Sequence, residues 1–171
     1  MTDKKKWVRF ALYAAELLLL FSLQEIPGLL PKLMGAKPLL VLGAVLTMSM
    51  REEPVPAMGL GIFAGLLTDL GMGSPMGWHA LVYGVLCLSL CMLCGTRMQI
   101  HLYTSILMGL WSIAVAVLLD WLVLYIASGY GWPVYALVNA YLPLYFYTVL
   151  TVPVCYGLQY LVQRSFGRLG A

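Results

Sequence analysis

Charge is what this sequence has least of. Ten basic and seven acidic side chains are spread over 171 residues, so 10% of the chain is charged. A soluble domain carries about a quarter, and a chain this poor in charge cannot clothe its surface for water. Histidine is scarcer still, at two copies. No aqueous stretch carries a basic stripe interleaved with aromatics, which argues against a nucleic-acid partner even at a net charge of +3. Soluble linkers, low-complexity tracts and sequence repeats are missing too. What fills the space is apolar: 62% of residues are hydrophobic and the mean hydropathy is +0.90. That is the composition of one integral membrane domain, with membrane lipids as its solvent and no room for a sizeable soluble module.

A helix needs about 20 apolar residues to cross the hydrocarbon layer. The runs and breakers predict an all-α bundle of six transmembrane helices, at about 7–26, 36–50, 57–73, 78–94, 102–126 and 141–161. The first follows "MTDKKKWVRF", which resembles the basic start of a signal peptide. Its apolar run is long and no clear Ala-x-Ala site follows, so an uncleaved first span is expected. The second is the weakest, because its clear apolar run, Pro38 to Met50, holds only 13 residues. It either begins early, near Leu29, or is re-entrant. "REEPVP" and "GTRMQIH" read as polar loops, and "ASGYGWPVYALVNA" as an interfacial one.

Basic residues set the expected orientation. With both termini in the cytoplasm, the inside carries Lys4, Lys5, Lys6, Arg9, Arg51, Arg97, Arg164 and Arg168, against Lys32 and Lys37 outside. Such a bias fits a multi-pass protein with cytoplasmic ends.

One stretch, "GLGIFAGLLTDLGMGSPMGWHAL", places a carboxylate in an apolar, glycine-spaced helix. Gly61, Gly65 and Asp69 lie four apart and therefore stack along one helix face. Glycines at that spacing let a second helix approach backbone to backbone. Gly73, Pro75 and Gly77 complete the packing set, in the tight turn that follows. An acid at mid-bilayer costs ~3 kcal/mol on insertion scales and normally faces a partner or a cavity. The topology puts Asp69, Thr68, His79, Asp120 and Asn139 in one polar layer toward the outer side, with His79 the natural partner of Asp69. This layer is either a structural anchor or a place for a ligand or protein partner. Glu16 sits near the centre of the first helix, with Arg9 two turns away. It needs an interior partner or a protonated state.

Catalytic and metal-binding patterns are weak. Ser74 and His79 are near neighbours, but nothing supplies an oxyanion site. His79 and His101 belong to opposite membrane sides, which removes a paired-histidine metal site. Cys87, Cys91 and Cys94 share a helix face, yet the fourth ligand a metal wants is lacking. They read, with Cys155, as small packing residues. No cofactor is expected. Three intramembrane acids keep proton-coupled transport open, although no inverted repeat or broken-helix pair is visible.

These residues resemble the rod-shape-determining membrane protein family MreD. The likeness runs from about Lys37 to Gly95. It comprises Pro38, Leu39 and Leu40, then Arg51 and Glu52, then Gly61, Gly65, Leu66, Leu67, Asp69 and Leu70. Gly73, Ser74, Pro75, Gly77, Ala80 and Leu81 continue it. Elsewhere only span number and length agree. The resemblance implies a non-enzymatic scaffold of the bacterial inner membrane that serves cell-wall elongation and cell shape. Its implied partners are a bitopic MreC-type protein, actin-like MreB filaments and a peptidoglycan glycosyltransferase and transpeptidase. The implied fold is similar to that of the substrate-binding S-components of energy-coupling-factor vitamin importers. Those importers are the alternative reading, since they dock through small-residue faces and Ala11 and Ala15 stand four apart here. Whether the chain forms a homodimer stays open at this level.

Overall fold

A computed structural model describes residues 3–26, 28, 37–73, 75–95, 102–127, 129 and 131–169. Leu29, Lys32, Ser74, Arg97 and His101, named above, lie outside the described residues. All regular structure among the described residues is helical. The helices are α1 (Asp3–Glu25), α2 (Leu40–Ser49), α3 (Pro54–Met72), α4 (Trp78–Gly95) and α5 (Leu102–Asp120), then the short α6 (Pro133–Ala136) and α7 (Leu142–Leu169). α5 continues as a π-helical segment, Trp121–Ile126, and a second one, Leu137–Tyr141, joins α6 to α7.

Among the described residues, three stretches are long and apolar enough to cross a membrane: Pro54–Met72, Tyr103–Val123 and Pro133–Leu161. Their outward sides carry large apolar residues, such as Leu70, Trp111, Leu150 and Val154, each more than 60% exposed. Water would not tolerate that coat, whereas lipid would. The molecule is a membrane protein.

The weakest predicted span has a physical explanation in α2. At ~1.5 Å per residue, its ten residues cover roughly half of a ~30 Å hydrocarbon layer. Every residue from Val41 to Met50 is buried, and α1, α3, α4, α5 and α7 all pack on it. A helix apolar on all sides can be buried on all sides, and α2 is the centre of the bundle. Its first amides are satisfied by its neighbours rather than by a local cap. Leu39 N–H donates to Thr148 Oγ1 at 3.2 Å, and Val41 N–H to Gln24 Oε1 at 3.4 Å. Thr47 and Ser49 turn their hydroxyls back onto α2 carbonyls. Close contact with α7 is allowed by Gly43, where a Cβ would stand 3.0 Å from Thr151 Oγ1.

Other boundaries follow from proline and glycine. α3 starts at Pro54, three residues earlier than the apolar pattern suggests, because proline suits the first helical turn. It stops at Gly73, whose left-handed φ of +64° lets its N–H close on Asp69 O at 3.0 Å. The last hairpin turns through Trp132, at φ +60°, and Pro133 restarts the helix eight positions before Tyr141. Two aromatic side chains hold this turn. Trp121 Nε1–H donates to Pro133 O at 3.0 Å, and Tyr125 O–H to Gly131 O at 2.8 Å.

Candidate functional site

Asp69 lies in the last turn of α3, on the face that Gly61 and Gly65 strip of side chains. α4 fills that space. A Cβ on Gly61 would stand 2.6 Å from Tyr83 O, and one on Gly65 would run into the backbone of His79 and Ala80. The two helices therefore touch backbone to backbone along two turns, as the glycine spacing predicts.

This approach brings the Asp69 carboxylate over the start of α4. Oδ2 accepts from Gly77 N–H at 2.8 Å, and Oδ1 accepts from His79 N–H at 3.2 Å. α4 begins with Trp78, so no local Ser, Thr, Asp or Asn precedes it as a cap within the described turn. Asp69 does that work from the neighbouring helix. It satisfies orphan amides and sets negative charge at the positive end of the α4 dipole.

The His79 ring is buried, at 1% exposure, and both its nitrogens meet carboxylates. Nδ1 lies 2.7 Å from Asp69 Oδ1, and Nε2 lies 3.3 Å from Asp120 Oδ2. Asp120, the last residue of α5, also accepts from Trp78 Nε1–H at 2.8 Å. Tyr83 closes the cluster, its ring edge-on to His79 with centroids 5.6 Å apart. A neutral imidazole has one N–H to give. The ring bridges both acids fully only when a second proton is present, on the ring or on a carboxyl. The result is a polar chain, Asp69–His79–Asp120–Trp78, that ties α3, α4 and α5 together. Because it joins the end of α3, the start of α4 and the end of α5, α3 and α5 run the same way and α4 runs against them.

Of the predicted polar layer, the structure brings together Asp69, His79 and Asp120. Thr68 Oγ1 donates to Ala64 O at 3.0 Å and meets the Tyr83 hydroxyl at the edge of this cluster, while Asn139 Nδ2 donates within its own helix, to Tyr135 O at 3.1 Å. A hydroxyl or amide on a helix finds the carbonyl one turn back at hand, and this competes with any longer reach. Trp78 was missed as a site residue. Its place beside the turn reads as an interfacial aromatic, and only the fold sets it against an acid 42 positions later.

A second polar group gathers where α1 begins and α2 ends. Arg9, weighed above as a distant partner for Glu16, instead pairs with Glu52 at 2.8 Å. The Glu52 side chain is 3% exposed, and its backbone carbonyl accepts from Cys91 Sγ–H at 2.9 Å. Burial pushes the Glu52 carboxyl above its usual range, against the pull of the Arg9 guanidinium and the Tyr13 hydroxyl. Beside it, the Arg51 guanidinium lies 4.8 Å over the Tyr156 ring of α7. Glu16 finds the interior partner that it needs in Gln159, whose Nε2–H donates to Glu16 Oε1 at 2.6 Å. Gln159 was missed by sequence reading, because nothing local marks it. The four cysteines are all buried free thiols, as packing residues are.

No family model, no curated protein and no solved structure matches this chain. The functional reading rests on these residues.

Proposed function

We propose that this chain is a non-enzymatic membrane scaffold of MreD type, working in bacterial cell-wall elongation. In this reading it crosses the cytoplasmic membrane six times with both termini inside. It couples a bitopic MreC-type partner, and through it MreB filaments, to the peptidoglycan glycosyltransferase and transpeptidase. The observation that carries the reading is the use made of Asp69. In the segment that holds the resemblance, both carboxylate oxygens are committed to the α3–α4 hairpin. A motif whose acid is taken up by the helix it caps supports a role in architecture rather than in chemistry on a substrate. The alternating course of α3, α4 and α5 supports a weave of consecutive spans.

The alternative is an S-component of a vitamin importer, favoured by one observation: the buried Asp69–His79–Asp120 chain at one end of the bundle. Affinity purification of the tagged chain from its native cells in mild detergent, with mass spectrometry, separates the two. A coiled-coil bitopic protein with wall-synthesis enzymes is the expected set. Recovery of ATPase subunits with a coupling membrane protein overturns the scaffold reading in favour of the importer.

A further inference from the structure

We infer that Glu16 and Gln159 form a proton-binding site inside the bundle, a carboxylic acid–amide pair that joins α1 to α7. The inference rests on hydrogen-bond accounting and is independent of the scaffold reading. Gln159 is fully buried, and its Nε2–H donates to Glu16 Oε1 at 2.6 Å. Its other polar atom, Oε1, is buried and has no hydrogen-bond partner. An amide oxygen in that position calls for a donor. An ionised Glu16 is acceptor-only and cannot supply one, while a protonated carboxyl carries one O–H. Acid and amide are then complementary, each giving one hydrogen and taking one. The proton goes onto a Glu16 oxygen and is shared toward Gln159 Oε1, with no other bond made or broken.

Other groups nearby do not take the part. Arg9 and Tyr13, on the same helix, bond Glu52. Arg51 covers Tyr156. Among the described side chains of α7, the titratable neighbour of Glu16 is Cys155, a buried thiol whose Sγ–H points to Leu40 O at 4.0 Å. On α2, Gly43 lies against Thr151 and Cys155 of α7 and carries no charge. A metal cation is the rival occupant. Hard cations take about six oxygens, and the pair offers the oxygens of one carboxyl and one amide.

The test is infrared spectroscopy of the full chain in lipid bilayers, in the carbonyl region of protonated carboxyl groups. A neutral-pH band is expected that shifts when glutamate alone is labelled with carbon-13, is lost in Glu16→Gln, and is unaffected by Asp69→Asn. In Gln159→Leu it persists and moves to higher frequency, because the acid loses its amide partner. If Glu16→Gln fails to fold, Glu52→Gln decides the matter, since a band from Glu16 survives that change and one from Glu52 does not. Absence of any glutamate-derived band, or its survival in Glu16→Gln, overturns the inference. A band that appears only when sodium is removed overturns it too, and assigns the site to a metal cation.

Discussion

Asp69 and His79 meet twice. One carboxylate oxygen, Oδ1, accepts from the backbone N–H of His79 at 3.2 Å and faces its ring Nδ1 at 2.7 Å. The same contact thus starts a helix and fixes the orientation of the ring that reaches α5.

Removing that carboxylate should cost more than neutralising it. Asp69→Leu leaves the Gly77 and His79 amides and the ring Nδ1 of His79 without an acceptor, a loss of about 3 kcal/mol. Asp69→Asn keeps one oxygen and should cost about 1 kcal/mol. Thermal melting in detergent orders the two. Under the proposed scaffold function, a well-folded Asn variant that fails to restore cell shape would show that the charge itself is needed.

The glycine face should be intolerant of side chains in a graded way. Gly65→Ala forces a methyl into the backbone of α4 and should lower stability by about 1–3 kcal/mol, and Gly65→Leu should prevent folding of the hairpin. Gly84→Ala meets a side-chain atom, Ile62 Cγ1, at 2.9 Å rather than backbone, and should be milder. Normal expression and melting of Gly65→Leu would refute the close approach.

Trp78→Phe keeps an aromatic, though smaller, side chain and deletes one donor. Asp120 then loses its 2.8 Å bond, at a cost of about 1–2 kcal/mol. Paired with Asp120→Asn in a double-mutant cycle, the two changes should be clearly non-additive. Additive losses would mean that the bond contributes little in the bilayer.

Glu52 should give the protein a pH dependence. Burial outweighs Arg9 and raises its carboxyl above the usual 4.5. The folded chain therefore binds this proton more tightly than the unfolded chain, so stability falls as pH rises through the folded-state value. Acidification toward 4.5 should stabilise the wild type relative to Glu52→Gln. Arg9→Gln, which removes a partner that is about one-third exposed (32%), should cost about 1–2 kcal/mol at neutral pH. A wild type that loses ground to Glu52→Gln on acidification would mean that the ion pair prevails over burial.

The glycine spacing, the lone acid and the turn residues were legible because each acts over a few residues. Four-residue steps stack on one face, Gly73 ends a helix, and Asp69 reaches an α4 start only eight to ten positions on. Several helix ends fall within a few residues of the hydropathy boundaries, but Pro133 starts a helix eight positions earlier than hydropathy suggests and α7 runs eight positions past 161, to Leu169.

The amino-acid pattern alone determined an apolar solvent, helical structure and a hairpin anchored by Asp69. Tertiary structure decided which helix is central and which distant polar groups meet. α2 looks like a failed span in sequence, and its burial against five neighbours is a property of the bundle. Arg9 meets Glu52 across 43 positions, and Glu16 meets Gln159 across 143. The reason is the solvent. In water, an alternation of polar and apolar residues tells which side of a helix faces in. In lipid both sides are apolar, so facing is written only in the packing, and a buried acid finds its partner only when the helices have come together.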